Sequence, residues 1–347
     1  MTWRFPITNR ALTLLGLLAG LGACERPSSM GEHVFSGETQ GTTYTIKVCA
    51  AQQPVGGEAS LRKSIETRLA SIDSALSTYR PDSEISKFNA HADLTPFKVS
   101  ADVIKIFQLA NEVSVASGGA FDVTVAPLVK AWGFGPGGRQ GGPPPVEELE
   151  RLRSKVGYGK IKIDPTALTL SKTEPEVTCD LNAIAQGYTV DKIAEDFDAS
   201  MYSNYMVEVG GEVRTRGLNA RGQAWQIGVE KPDSAGHVIN LIVRISDNAI
   251  STSGDYRNYY EENGVRISHH LDPRTGRPIT NTLASVSVIN RKCALADAYA
   301  TALTVLGPEA GYELALKQEL PALFIVHSGT ESFSEKSTPA FAPFLQP

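Results

Sequence analysis

The strand patterns in the second half of the chain constrain the fold more than any other feature. Five short segments rich in β-branched and aromatic residues fit strands, at residues 205–209, 225–229, 239–245, 284–289 and 322–326. One helical pattern, residues 294–306, separates the last two and ends at Gly307-Pro308, a helix stop signal. The order lacks the strict alternation of βαβ units. We therefore expect an α+β fold, or an α/β fold in which the strands pair mostly antiparallel.

The first half of the chain contains more helical patterns. Apolar residues recur at helical spacing from Leu61 to Leu76 and across residues 102–116, and further helices fit residues 146–154 and the segment after Asp180. Residues 43–48 alternate as a half-buried strand does, and residues 161–170 fit a hairpin. The chain shows no internal repeat, and its length allows either one large domain or two.

The N-terminus is typical of an exported chain. Arg4 and Arg10 precede an apolar run, residues 11–23, that is shorter than the roughly 20 residues a membrane-spanning helix needs. The run ends in Leu-Gly-Ala-Cys, which resembles the lipobox of bacterial lipoproteins, where the cysteine is lipidated. The alternatives are a buried N-terminal helix and an uncleaved anchor. We expect a signal peptide at 1–23, lipidated Cys24 and a tether over 24–36, and a single domain over 37–347.

The charge of the chain argues against a nucleic-acid partner. The net charge is −5, and because residues 1–23 contain two arginines and no carboxylate, the mature chain would carry −7. An anionic ligand must therefore be bound by local groups, such as a metal ion or backbone amides, rather than by a broadly basic surface. The remaining cysteines lack metal-like spacing, and their odd number leaves at least one thiol free. We expect three buried cysteines that behave as small hydrophobic residues: Cys49, Cys179 and Cys293.

Asp297 and Thr301 are four residues apart on the last predicted helix, so their side chains share one face. Small residues surround them, which lets a ligand or another backbone come close. A carboxylate and a hydroxyl suit a hard cation such as magnesium. The alternative is a simple hydrogen bond between two polar residues at this spacing. The spacing alone leaves both interpretations open.

His269 and His270 precede a turn sequence, residues 272–278. Imidazoles beside a turn can perform acid–base chemistry, but exposed loop histidines without a role are as common. A Rossmann dinucleotide site is not supported at Gly118-Gly119 or Gly210-Gly211, because neither is part of G-x-G-x-x-G, and the chain contains no G-x-x-x-x-G-K-[ST] loop and no G-x-S-x-G elbow. Gly118-Gly119 and Gly210-Gly211 remain places where the backbone can approach a ligand closely.

A series of ordered motifs resembles one family along nearly the whole mature chain. Among them are Gly-Ala-Phe-Asp-Val-Thr at 119–124 and Asp-Leu-Asn-Ala-Ile-Ala-Gln-Gly-Tyr at 180–188. The others lie at residues 40–44, 77–86, 127–129, 132–135, 210–212, 251–256, 269–276 and 296–302. The chain is similar to the ApbE family, FAD:protein FMN transferases. The resemblance implies an α/β architecture related to the T-fold, with largely antiparallel sheets and the flavin between two lobes.

The resemblance also implies the residues that hold FAD. The matching positions are Gln40, Tyr79, Ala120, Phe121, Asp122, Asp180, Gln186 and Leu271. Tyr79 can stack on a ring, and the two aspartates can accept hydrogen bonds from it. Gln40 stands where methionine is frequent in the family, and Gln186 stands where lysine is common, so one positive charge near the cofactor is missing.

By the same resemblance, the backbone carbonyl of Ala183 and the side chains of Asp297 and Thr301 hold magnesium. His269 occupies the position the family keeps as histidine and is expected to assist removal of the acceptor's proton. His270 stands at a position that is usually apolar in the family. Asp255 and Asp272 are expected to order their loops.

The implied activity is magnesium-dependent transfer of FMN from FAD to a threonine or serine hydroxyl of an acceptor protein, with release of AMP. Two alternatives remain: an FAD pyrophosphatase that yields FMN and AMP, and a flavin-binding lipoprotein without turnover. The implied acceptors are membrane electron-transfer subunits, as in Rnf-type and sodium-pumping quinone reductase complexes. The implied location is the periplasmic side of a bacterial membrane, to which the lipid on Cys24 would anchor the protein.

Overall fold

The computed structural model describes residues 30–138, 142–230, 239–254, 259–262, 265–329 and 332–345. The predicted signal peptide, Cys24, residues 25–29 of the tether and Asp255 lie outside these ranges. The α-helices are α1 Gly57–Leu76, α2 Glu84–Ala90, α3 Ala101–Ala116, α4 Ala126–Ala131, α5 Val146–Arg153, α6 Asn182–Ala199, α7 Cys293–Leu306 and α8 Pro308–Lys317. Among the described residues, no helix is both long and apolar enough to cross a membrane.

The strands begin with a hairpin of two long strands. The first seven are β1 Gly31–Thr39, β2 Thr42–Ala50, β3 Phe97–Lys98, β4 Ile161–Asp164, β5 Thr169–Lys172, β6 Tyr205–Val209 and β7 Glu212–Arg216. The strands that follow are β8 Trp225–Glu230, β9 Ile239–Ile245, β10 Ala249–Gly254, β11 Tyr259–Glu262, β12 Val265–Ser268, β13 Leu271–Asp272, β14 Arg277–Pro278, β15 Leu283–Asn290, β16 Ala322–His327 and β17 Phe333–Ser337.

One large sheet organises the fold, and its strands lie in the order β1-β2-β6-β7-β10-β15-β16-β17. The remaining strands form the small sheet β3-β5-β4 and the ribbons β8-β9, β11-β12 and β13-β14. Every strand pairing among the described residues is antiparallel. The predicted mixed fold with mostly antiparallel sheets is therefore confirmed.

Both faces of the large sheet are covered. Successive strand side chains point to opposite faces, so Ala249 of β10 packs with α1 and α6 while the next residue, Ile250, packs with the β8-β9 ribbon. β15 is buried along nearly its whole length, since helices lie on one side of it and the ribbon's cluster on the other. This sandwiching explains why residues 284–289 form a nearly continuous run of small and apolar residues.

The structure corrects one predicted boundary. Residues 31–36 were assigned to the tether, but they belong to β1, which pairs with β2 over its full length. The turn between them, Gln40-Gly41, has positive φ at both residues (50° and 73°), which is the geometry of a tight two-residue hairpin. The ordered sheet therefore begins at Gly31, before the predicted domain start at residue 37.

The three cysteines are as predicted: Cys49, Cys179 and Cys293 are free and buried.

Candidate functional site

A cleft of about 370 Å³ opens beside the first turn of α6 and the middle of α7. Its walls come from separate segments of the chain, which the large sheet and its helices bring together. The predicted site residues that line it are Tyr79, Ala120, Phe121, Asp122, Asp180, Ala183, Gln186, His269, Leu271, Asp297 and Thr301. The structure thus gathers the predicted flavin, metal and catalytic residues in one place, with the exception of Gln40.

Gln40 lies in a neighbouring cavity of about 1170 Å³, between the β1–β2 turn and α1. Tyr79, Asn182 and Gln186 line both cavities, so the two adjoin. The Gln40 amide nitrogen donates to Thr189 Oγ1 at 2.7 Å, while its buried Oε1 has no hydrogen-bond partner within the described part of the chain. The larger cavity therefore extends the site toward the start of the large sheet.

The close contact of α6 with α7 depends on Gly187. A Cβ at this position would lie 2.6 Å from the carbonyl oxygen of Cys293, so any side chain would push the two helices apart. The amide of Gly187 donates to Asp297 Oδ2 at 3.1 Å. In a regular helix the same amide would donate to the carbonyl of Ala183, four residues earlier. The amide that binds Asp297 therefore lies about one helical turn after Ala183.

The start of α7 is held from α6 by a buried carboxylate. Asp191 accepts hydrogen bonds from the amides of Cys293 (2.9 Å) and Ala294 (3.0 Å), which are orphan donors of the first helical turn. Arg214 of β7 donates to the same carboxylate at 2.7 Å. The Lys292 side chain does not cap the helix, so Asp191 supplies the cap from another helix. The hydrogen bonds to Asp191 therefore hold the first turn of α7 in place, about one turn before Asp297.

Oxygen atoms dominate the α7 side of the cleft. Asp297 is buried, and Thr301 Oγ1 lies 3.1 Å from Ser253 Oγ. Burial raises the pKa of Asp297 to about 7. Burial, and then the charge of Asp297, also raises the pKa of Glu212, whose Oε2 has no hydrogen-bond partner in the ranges described. Such a set of carboxylate and hydroxyl oxygens suits a hard cation.

The described residues hold no group of three or more His, Cys, Asp or Glu side chains that could bind a metal. A cation at Asp297 would therefore depend on hydroxyl and carbonyl ligands as well. Sequence reasoning did not assign a role to Glu212 or Ser253. Both lie inside motifs that resemble the family, Glu212 at residues 210–212 and Ser253 at residues 251–256. Neither motif has a residue spacing that indicates which other part of the chain its side chains contact.

The two aspartates predicted to contact the flavin differ in how many hydrogen bonds their carboxylates already accept from the protein. Asp122 accepts hydrogen bonds from Thr124 (amide 2.8 Å, hydroxyl 2.6 Å) and from the amide of Tyr158 (2.7 Å), so its loop uses both oxygens. Asp180 is buried and accepts the amide of Asn182 at 2.8 Å on Oδ1 and, at the longer distance of 3.5 Å, the side-chain amide of Asn182 on Oδ2, and burial raises its pKa. Asp180 therefore has more acceptor capacity left for a ligand than Asp122 has.

The two neighbouring histidines lie in different surroundings. His269 is half-buried, and its ring lies 4.0 Å from that of His270 and 6.3 Å from that of Phe134, measured between centroids. His270 is buried, and burial, together with the charge of His269, holds its pKa well below the usual value. The alternative of an exposed loop histidine therefore does not apply to His270. As predicted, Asp272 orders its turn, through bonds to the backbone and side chain of Arg274 (2.9 Å).

Comparison with known proteins agrees with this geometry. The sequence matches the model of the ApbE family over residues 40–324. It is 43% identical over 336 residues to the FAD:protein FMN transferase of Vibrio cholerae, covering 96% of this chain and 98% of that one. It is 34% identical over 344 residues to the protein of the same name in Escherichia coli, covering 97% of each chain.

Solved structures show the same relationship. The flavin transferase ApbE from Vibrio cholerae superposes with a TM-score of 0.83 at 42% identity, covering 91% of this chain and 100% of that one. The apo form of the flavinyl transferase ApbE from Pseudomonas stutzeri gives a TM-score of 0.83 at 37% identity, covering 91% and 97%. By sequence and by structure, the chain belongs to the ApbE family.

Proposed function

We propose that this protein is an FAD:protein FMN transferase that moves the FMN part of FAD onto a threonine or serine hydroxyl of an acceptor protein. A new bond forms between the hydroxyl oxygen and the FMN phosphorus. The bond from that phosphorus to the bridging oxygen breaks, and AMP leaves with the electron pair. The observation that carries the proposal is that one cleft collects the residues expected to hold the flavin, carboxylate and hydroxyl oxygens that suit a cation, and a histidine.

The residues on the α6–α7 side fit a magnesium ion. Asp297, Thr301 and the carbonyl of Ala183 would hold it, and all three residues line the cleft. The raised pKa of Asp297 and the unpartnered oxygen of Glu212 support this assignment, because buried carboxylates at such a place favour a neutralising cation. When bound, magnesium neutralises the charge that develops on the pyrophosphate as AMP leaves.

The other side of the cleft would serve the acceptor. His269 would take the proton from the attacking hydroxyl, which would then become a better nucleophile. His270 would stay neutral, because its burial disfavours the charged form. Asp180 would accept a hydrogen bond from the bound flavin and so fix the cofactor relative to α6.

One incubation tests the proposed function. The protein is mixed with FAD, magnesium and the soluble flavin-bearing domain of an Rnf-type complex, and both acceptor mass and free AMP are measured. We expect the acceptor to gain the mass of FMN and one AMP to appear per modified acceptor. AMP without an acceptor mass change would identify an FAD pyrophosphatase instead. Neither product would identify a flavin binder without turnover.

We also propose that Cys24 anchors the protein to a bacterial membrane on its periplasmic side. The apolar run followed by Leu-Gly-Ala-Cys supports this, since acyl chains would be the anchor of the mature chain. Cys24→Ser should abolish lipid attachment, and the protein should then be unprocessed or absent from washed membranes. Normal processing and normal membrane retention of this variant would refute the anchor.

A further inference from the structure

One aromatic ring lies next to that of His269 and a second lies next to the first, and the chemistry above uses neither. The ring of Phe134 is 6.3 Å from that of His269, and the ring of Tyr260 is 5.4 Å from that of Phe134. Phe134 lines the cleft, while Tyr260 lies outside its lining, on the β11-β12 hairpin. Both side chains are half-buried. The three rings thus form a row that leads from the hairpin to the cleft.

Phe134, in the middle of the row, is held by a backbone hydrogen bond and by packing against a buried cluster. The Phe134 amide donates to the carbonyl of Val129 at 3.0 Å, which closes the end of α4. Phe134 also packs against the cluster that contains Leu128, Trp132 and Leu271. Trp132 donates from Nε1 to the carbonyl of Gly276 at 2.9 Å, so the turn after His269 is tied to the same segment. The rings therefore present a preformed surface.

Because the acceptor side chain is short, the acceptor's main chain must come close to His269 at this surface. If His269 takes the acceptor's proton, the hydroxyl must come within hydrogen-bond reach of its imidazole. Serine and threonine carry their hydroxyl directly on Cβ, so the acceptor's main chain must also pass close to His269. A polypeptide that passes His269 meets the ring of Phe134, and one that continues toward the β11-β12 hairpin meets the ring of Tyr260. An aromatic face contributes contact area with little loss of side-chain freedom.

We propose that Phe134 and Tyr260 form the contact surface for the acceptor polypeptide, on which the segment flanking the modified serine or threonine packs. This inference rests on the proposed function, because it requires a protein acceptor. It goes further by assigning acceptor recognition to two residues that the proposed flavin, cation and proton-transfer roles do not use. Tyr260 is the more informative of the two, because it does not line the cleft.

The test is a steady-state flavinylation assay on Tyr260→Ala with the same acceptor domain. We expect KM for the acceptor to rise about five- to tenfold, the effect of losing one well-placed aromatic contact, while kcat changes little. The affinity for FAD, measured by flavin fluorescence, should be unchanged. Phe134→Leu keeps an apolar side chain in the supporting cluster but removes the ring, and should raise the same KM.

Tyr259→Ala is the matched control, because neighbouring strand residues point to opposite faces of the hairpin. We expect its acceptor KM to stay near that of the unmodified protein. If the unmodified protein transfers FMN and Tyr260→Ala keeps its acceptor KM, or if Tyr259→Ala raises KM equally, the inference is overturned while the proposed function stands. If the unmodified protein gives no acceptor mass change, the proposed function fails and takes the inference with it.

Discussion

The two sides of the cleft are built differently. The α6–α7 side is buried and polar, and its groups are held by hydrogen bonds from distant parts of the chain, such as Asp191 to the start of α7 and Gly187 to Asp297. The His269 side is aromatic and only half-buried, and it rests on the cluster around Trp132. A cation site needs fixed oxygens, whereas an acceptor site must admit another protein. The difference fits the proposed separation of cation binding, on the α6–α7 side, from acceptor activation, on the His269 side.

The largest expected effect is on the α7 side. Asp297→Asn keeps the shape of the side chain but removes the charge that a divalent cation needs, so flavinylation should collapse while the fold survives. Flavinylation by the unmodified protein should fail similarly in EDTA and return with added magnesium. Circular dichroism checks the fold. Full activity of Asp297→Asn, or of the unmodified protein in EDTA, would refute the cation site.

The next effect concerns the opposite side. His269→Ala should lower the transfer rate by about 10²–10⁴, the usual contribution of one acid–base group, and should leave FAD binding intact. The unmodified protein should also lose activity at acidic pH, because an imidazole must be neutral to accept a proton. A flavinylation time course and an FAD titration are sufficient to measure both. Near-normal turnover, or loss of FAD binding together with the rate, would remove His269 from the catalytic residues.

A smaller effect tests the rigidity of the α7 side. Asp191→Asn weakens the cap on α7, so Asp297 should be held less firmly, and the magnesium concentration for half-maximal rate should rise by about tenfold, as expected for a residue that orients a metal ligand. The rate at saturating magnesium should recover most of its normal value. Lys192→Gln is a suitable control, since Lys192 is the next residue of α6 and pairs instead with Glu195 and Asp102. An unchanged magnesium requirement in Asp191→Asn would show that the cap does not position the site.

The sequence predicted best the elements whose pattern is local. Residues 205–209 and 239–245 match β6 and β9 at both ends, and in β6 the buried positions alternate as the period of a strand requires. β1 was missed, since most of its residues are polar or exposed and its order comes from pairing with β2. α8 was missed because Gly307-Pro308 indicates a helix end. The same proline also occupies the first turn of α8, where its missing amide costs nothing.

The site residues also divide into those that a local sequence pattern predicts and those that only the tertiary fold brings together. Asp297 and Thr301 could be paired from their spacing, because both lie on one helix. Asp191 could not be assigned, since the amides it caps are about a hundred residues away in the chain and nothing local marks them. Glu212 faces the cleft only because β6 and β7 join at Gly210-Gly211. Contacts between distant segments, and the burial they produce, are set by the tertiary fold and leave no local pattern.

A magnesium titration of flavinylation in Thr301→Ala and His269→Ala tests the proposed separation of cation binding from acceptor activation most directly. Losing a neutral hydroxyl ligand should raise the half-saturating magnesium concentration of Thr301→Ala several-fold and change its maximal rate only mildly. His269→Ala should show the reverse: an unchanged magnesium requirement and a maximal rate lower by about 10²–10⁴. If the two variants shift the magnesium requirement together, or if neither does, the two sides of the cleft do not act separately and the account is contradicted.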